Sequence, residues 1–144
     1  MIKEIFEQPK VLDNAFAGRI DFENKSIKSI ALEDIVKKGF RKILIVASGT
    51  SYHSGLLGKM YFEEFANMET EVTVATEFKY RKKFIHPDTL YIFISQSGET
   101  ADVLESLKIV KAKGGYTFGI VNVPGSSIAR ISHSGLFTHA GIEV

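Results

Sequence analysis

The sequence predicts an α/β fold: a three-layer αβα arrangement around a five-stranded parallel sheet. Three observations carry that reading. Short, wholly apolar runs recur, as in Lys42 to Ala47 (KILIVA) and Leu90 to Ile94 (LYIFI); stretches with helical periodicity separate them; and both runs end in a cluster of Ser, Thr and Gly that opens a helix. Strands without a polar face are buried on both sides, and intervening helices supply the crossovers that parallel pairing needs. The strand order expected is the flavodoxin-like 2-1-3-4-5.

Taken in order, residues 3–17 place Ile5, Phe6, Leu12, Ala15 and Phe16 at helical spacing, with Pro9 expected to kink or break the helix. Ser26 followed by Ile27, Ile30, Ala31, Ile35 and Val36, with Gly39 as the stop, reads as a second helix. The first sheet strand is 42–47. A helix over 52–66, a strand over 71–76, a short helical turn over 77–82 and a strand over 90–94 follow. The next helix covers 99–113, stopped by Gly114 and Gly115; a strand over 117–122, a turn near Ser127 and a strand over 135–139 complete the pattern. No repeat or linker divides the chain, so one domain is expected, with residues 1–40 as an N-terminal helical arm and 41–144 as the α/β core.

Composition narrows the chemistry. At 144 residues, 44% of them hydrophobic and 11 of them Phe, the chain is large enough to build its own core. A net charge of +1 gives no electrostatic case for nucleic acid or an anionic membrane. Without Cys there is no disulfide, thiolate nucleophile or Cys-ligated metal, and no metal or cofactor is expected. The charged N-terminus is unlike a signal peptide, and no apolar run approaches the roughly 20 residues that span a bilayer, so a cytoplasmic protein is expected.

The order 2-1-3-4-5 puts the first strand beside the third, with connections leaving toward opposite faces, and ligands of open α/β sheets bind at that switch point. The loops there are Ser48 to Tyr52 and Ser95 to Thr100 (SQSGET). Each offers hydroxyls, backbone N–H groups and the positive end of a helix, which suits a phosphate. One such turn is ordinary capping chemistry; two of them flanking the switch point form a cradle. Neither a P-loop nor a dinucleotide fingerprint matches Gly49 to Gly55.

Neither loop carries Lys or Arg. Hydrogen bonds to a charged oxygen contribute about 1.5–3 kcal/mol each, a helix dipole about 0.3–1 kcal/mol, and association costs about 4–15 kcal/mol. Three or four such bonds leave an exchangeable ligand of micromolar to millimolar affinity, not a tightly held cofactor. Glu99 is out of keeping beside an anion; it either complements the N-terminus of its own helix or accepts hydrogen bonds from sugar hydroxyls. Gly55 and Gly58 suggest close packing of their helix on the sheet or a partner, and His53, His86, His133 and His139 show no metal-type spacing.

Several segments resemble the sugar isomerase (SIS) domain, and more closely the first SIS domain of the glutamine:fructose-6-phosphate aminotransferase family. They are Lys3 to Pro9 (KEIFEQP), Gly18-Arg19, Gly49 to Tyr52 (GTSY), Glu77 to Arg81 (EFKYR), Ser95 to Asp102 (SQSGETAD), Val121 to Arg130 (VNVPGSSIAR) and Ala140 to Val144 (AGIEV). The SQSGET run is common to many SIS proteins, whereas the KEIxEQP opening belongs to this one branch. The resemblance implies that Thr50, Ser51, Ser95, Gln96, Ser97 and Thr100 hold the phosphate of fructose 6-phosphate or glucosamine 6-phosphate. Gly49, Glu99 and Glu143 are the candidate sugar contacts. Ser48 departs from the Cys common in the family. The resemblance assigns no catalytic residue to this chain: it implies a fragment without the family's glutaminase domain, second SIS domain and C-terminal tail, where the acid-base glutamate and the ring-opening lysine reside. A homodimer is expected, since SIS domains usually pair. Two other readings stay open, a free-standing SIS sugar-phosphate sensor or assembly module, and a glutamine-independent SIS deaminase or isomerase.

Overall fold

The structure, a computed structural model, describes residues 2–82 and 84–141. Helix α1 (Ile2–Phe16) leads into a small hairpin, β1 (Ile20–Asp21) and β2 (Ser26–Ile27), and then α2 (Ile30–Lys38). The α/β alternation follows: β3 (Lys42–Ala47), α3 (Gly49–Ala66), β4 (Glu69–Val74), α4 (Ala75–Tyr80), β5 (Thr89–Ser95), α5 (Ala101–Ala112), β6 (Tyr116–Val121), α6 (Ser127–Ile131) and β7 (Ser134–Phe137).

Strands β3 to β7 form one sheet of order β4-β3-β5-β6-β7, every pair parallel, which is the expected 2-1-3-4-5. Their C-terminal ends are level: Ala47 pairs with Val74 on one side and Ile94 on the other, Ser95 with Val121, and Val121 with Phe137. Leu44, Val46, Tyr91, Phe93 and Val121 point to one face, where Phe78 of α4, Val103, Leu107 and Val110 of α5 and Ile128 of α6 cover them. Ile43, Ile45, Leu90, Ile92 and Phe118 point to the other, against Ala31, Leu32 and Ile35 of α2 and Phe62 of α3. The β3–β4 and β5–β6 crossovers therefore run on opposite faces, and the switch point falls between β3 and β5.

Sequence chemistry explains the layer contacts. On α5, Val103, Leu107 and Val110 recur at i, i+4 and i+7 and are fully buried. Ser106, buried among them, donates to the carbonyls of Asp102 at 2.7 Å or Ala75 at 3.2 Å. Helix α3 lies close on β3 and β4 because Gly55 has no side chain: a Cβ there would stand 3.1 Å from both Ile45 Cγ2 and Val72 Cγ1. That settles the role of Gly55 as packing within the chain. Between α2 and α3 the second face keeps an apolar groove of about 440 Å³ floored by Leu90, Ile92 and Phe118.

Two local expectations are corrected. Helix α1 is continuous through Pro9, which overturns the break of the two alternatives, a kink or a break; the proline ring removes the bond to the Ile5 carbonyl. Residues 26 and 27, expected at the start of a helix, are instead a hairpin strand: Asp21 accepts from the Asn24 backbone N–H at 3.0 Å and side-chain amide at 2.9 Å, and Lys28 reaches the same carboxylate at 2.8 Å. Those three donors hold the Asp21 pKa down to about 2. Among the described residues no helix is long and apolar enough to cross a membrane.

Replacing Leu107 with Ala should lower unfolding stability by about 2–5 kcal/mol in denaturant titrations, through the cavity left against the sheet. Leu57→Ala, on the outward side of α3 and 50% exposed, should cost under about 1 kcal/mol.

Candidate functional site

Since Ala47 lies beside Ile94, Ser48 and Ser95 leave neighbouring strand ends about 4.8 Å apart. From there the chain enters α3 on one face and α5 on the other, and both helices start at the same edge of the sheet. Their N-cap residues are Ser48 and Thr100, residue types that ordinarily accept from the first turn, yet neither side chain caps its helix. The first-turn N–H groups of two helices are thus left for an incoming acceptor at one place. The sequence-expected Gly49, Thr50 and Ser51 form that first turn of α3, with Gly49 and Thr50 exposed.

The loop after β5 is ordered from within. The hydroxyl of Ser95, 3% exposed, accepts from the Gly98 backbone N–H at 3.0 Å and shares a hydrogen bond of 2.8 Å with Thr100 Oγ1. That pairing is why Thr100 does not cap α5. Ser97 accepts from the Glu99 N–H at 3.2 Å, which leaves its own hydroxyl proton free to donate outward. Gln96, Ser97 and Glu99 are the exposed members of the loop. The turn itself needs Gly98: its φ is +69°, and a Cβ there would stand 2.1 Å from Ser126 Oγ. Ser126 is buried at 4% exposure, with no hydrogen-bond partner for its hydroxyl among the described residues.

Glu99 has a partner that the sequence did not reveal. Its carboxylate accepts from the backbone N–H of Ser127 at 2.7 Å, capping α6 rather than its own α5. That N–H foremost, then the Ser127 hydroxyl and the charge of Arg130, hold its pKa below the ordinary carboxylate value. Asn122 was likewise missed as a hub. Its backbone N–H donates to the Gln96 carbonyl at 3.0 Å. Its side-chain oxygen accepts from Ala140 N–H at 2.7 Å and Thr138 Oγ1 at 3.0 Å, and its amide donates to the Gly141 carbonyl at 2.6 Å. The signal for it was a lone Asn directly after an apolar strand.

The β3–β5 pairing therefore brings Gly49, Thr50, Ser51, Ser95, Gln96, Ser97 and Thr100 to neighbouring loops at one edge of the sheet, with Ser95 and Thr100 organising the second loop, Gly49, Thr50, Gln96 and Ser97 exposed and Ser51 half-buried. Glu99 borders the crevice, engaged by α6, and Glu143 lies outside the described residues. His53 is exposed and meets Tyr52 edge-on at 5.6 Å, while His133 accepts the Thr117 N–H at 3.1 Å at the far end of β6. Among the described residues no group of three or more His, Asp or Glu is placed to hold a metal.

Comparison with known proteins bears on the family and the fold. A family model described as "SIS domain" matches residues 36–144. Two relatives named glutamine–fructose-6-phosphate aminotransferase [isomerizing] are similar over the whole chain: the one from Chlorobaculum tepidum is 45% identical over 146 aligned residues, 24% of its own length. The one from Clostridium tetani is 46% identical, again over 24% of its length. The chain thus spans about a quarter of the length of the curated relatives it matches. Among solved structures, the C-terminal domain of glucosamine-fructose-6-phosphate aminotransferase from Francisella tularensis superposes with a TM-score of 0.90 at 37% identity. That match covers 99% of this chain and 40% of the other.

Gly98→Ala should destabilise the protein by at least about 2 kcal/mol, because it combines an unfavourable left-handed backbone with a clash at Ser126; faster amide exchange at residues 96–100 should accompany the loss. For Glu99 the folded pKa is depressed, so its stabilisation is present above the ordinary value of 4.5 and is lost as pH falls through the folded value. The stability difference between the unaltered chain and Glu99→Gln should accordingly be constant above pH 4.5 and vanish at lower pH. A Glu99 carboxyl that titrates at 4.5 or higher by NMR would contradict the α6 cap.

Proposed function

This chain belongs to the SIS domain family, and on that premise we propose that it is the first, phosphate-gripping SIS unit of the isomerase part of a glutamine:fructose-6-phosphate aminotransferase. Its ligand is a hexose 6-phosphate, fructose 6-phosphate or glucosamine 6-phosphate. The observation that carries this reading is the pair of uncapped helix N-termini, α3 and α5, opening side by side at the switch point, with hydroxyl-bearing residues lining both turns.

In this proposal the phosphate accepts from the first-turn N–H groups of both helices and from the hydroxyls of Thr50, Ser51 and Ser97. Ser95 and Thr100 hold the Ser95 to Thr100 turn in the shape that presents them. Fixing the phosphate orients the sugar carbons without gripping the reacting end. In the full enzyme the ring would open, C2 would be aminated with ammonia from glutamine, and the product would isomerise to glucosamine 6-phosphate. Among the described residues the crevice places no acid-base pair at the ligand, and in this reading the proton transfers belong to other parts of such an enzyme. The site needs no cofactor in this reading, and the compartment is the cytoplasm, where sugar phosphates are made.

We also propose that the chain pairs with a second copy through its flanking helices and N-terminal arm. The support is apolar surface left outward: Leu57, Tyr61 and Phe65 on α3, and Phe6 and Phe16 on α1, are each at least 48% exposed.

Calorimetric titration should give micromolar to millimolar affinity for fructose 6-phosphate and none for fructose. Ser97→Ala should weaken the phosphate ester about tenfold or more, the worth of one hydrogen bond to a charged oxygen. An equal response to both sugars, unchanged by Ser97→Ala, would overturn the assignment. Light scattering at micromolar concentration should report a dimer, and a monomer throughout that range would refute the pairing.

A further inference from the structure

The start of β6, at the edge of the sheet opposite the crevice, carries a cluster that the sugar-phosphate reading does not use. Tyr116, the first residue of the strand, has its ring stacked on the imidazole of His133, with centroids 5.0 Å apart and planes 16° from parallel. The same ring meets Phe40 at 5.3 Å and lies 4.9 Å from Lys38 Nζ, a cation–π distance. Its hydroxyl donates to Asp34 Oδ2 at 3.0 Å. Asp34 and Lys38 belong to α2, so Tyr116 ties that helix to the sheet, and His133 backs the ring that makes the tie. Helix α2 depends on such ties: none of its residues is buried, and Ala31, Leu32 and Ile35 are only partly buried against the sheet.

The strand beside His133 dictates its protonation state. Thr117, 0% exposed, uses both backbone groups on it: the Thr117 N–H donates to Nδ1 at 3.1 Å, and the Thr117 carbonyl accepts the His133 N–H at 3.0 Å. The Thr117 hydroxyl lies 2.8 Å from the same Nδ1. A backbone N–H can only donate, so Nδ1 is an acceptor and the ring is neutral, with its proton on Nε2. Protonation puts a hydrogen on Nδ1 and takes the acceptor from a buried N–H.

It also adds a cation beside two others. Lys38 reaches the ring from α2 and Lys111 from α5, where the Ile131 carbonyl accepts from Lys111 at 2.6 Å. Asp34 is engaged by the Tyr116 hydroxyl, Arg130 of α6 donates to the Gly125 carbonyl, and β7 has no titratable residue. Solvent screens the two lysines, so the lost N–H bond outweighs the repulsion. His133 as a whole is exposed and open to protons from solvent. Partial burial of its ring foremost, then the charges of Lys111 and Lys38, hold its pKa below the ordinary 6.5.

We propose that the stack of His133 on Tyr116 is a pH-sensitive latch for α2: a neutral imidazole holds Tyr116 where Asp34 and Lys38 engage it, and a protonated one releases the helix from the sheet. The latch lies apart from the phosphate crevice and is independent of the ligand assigned to it.

The test is amide exchange in the 144-residue chain, read by NMR as protection factors so that the intrinsic pH dependence of exchange cancels. With a folded pKa below 6.5, the stabilisation is complete above that value and is lost as pH falls below it. Protection over residues 32–38 should fall about threefold to tenfold from about pH 8 to about pH 5, while that of Val103 to Val110 in α5 stays level. His133→Asn, whose side-chain oxygen can accept the Thr117 N–H but does not titrate, should make α2 protection level over the same range. Tyr116→Phe keeps the stack and cuts the bond to Asp34, so it should lower α2 protection at about pH 8 and shrink the further loss on acidification; it carries the comparison if His133→Asn does not fold. Level α2 protection in the unaltered chain, equal losses in α2 and α5, or an unchanged pH dependence in either variant would overturn the latch. So would a His133 ring that titrates at 6.5 or above.

Discussion

The parallel pairing of β3 with β5 is the constraint from which the site follows. Ala47 stands opposite Ile94, so two loops with unrelated sequences start from neighbouring strand ends, and crossovers on opposite faces leave the space between them uncovered. Polarity alone does not fix this register, because both faces of both strands are apolar. Shape and one polar tip do. Tyr91 and Phe93 fill the layer beside α5, and the Tyr91 hydroxyl accepts the His86 backbone N–H at 2.9 Å. A slip of one residue would move the Tyr91 ring to the α2–α3 face and strip both groups of that bond.

Within that frame, the loop after β5 separates the groups that build it from the groups it presents. Ser95 is buried, and its oxygen serves both the Gly98 amide and the Thr100 hydroxyl, so the residue that looks most like a ligand contact acts chiefly as an internal brace. Its use of Thr100 leaves the α5 N-terminus without a cap. A helix end left open in this way is less stable by about 1 kcal/mol than a capped one, and retaining it at both α3 and α5 is intelligible when an external anion takes the place of both caps. Gly98 completes the turn by lying against Ser126, whose hydroxyl, without a partner among the described residues, packs where any larger residue at position 98 would collide with it.

Strand positions, strand order and the meeting of the two loops at one sheet edge are legible because they depend on local runs of apolar residues and on topology rules. The errors have a common origin in partners distant along the chain or in side-chain detail. Residues 26 and 27 carry the apolar spacing of a helix, but Asp21, Asn24 and Lys28 form a turn that no glycine announces. Pro9 reads as a kink or a break, and the break does not occur because the proline removes just one bond from α1. Glu99 was weighed only against its own helix and a ligand, whereas its partner lies 28 residues later; the contacts of Asn122 lie 16 to 19 residues later. Such pairings become visible only once β5, β6 and β7 stand side by side.

The engagement of Glu99 also resolves an electrostatic difficulty in the site. A carboxylate beside a phosphate would raise the free energy of the bound anion, and with no Lys or Arg in either loop nothing cationic there would offset it. Here the charge is already matched: the α6 N-terminus and Arg130 stabilise it from the far side, holding the carboxyl ionised and its oxygen turned to Ser127. The field at the crevice is then set by the amides and dipoles of α3 and α5. Such donors act through direction and short range rather than net charge, so in the proposed reading a phosphate would be held by its shape and released without separating a salt bridge. That is the behaviour a site needs when its ligand is a metabolite in transit.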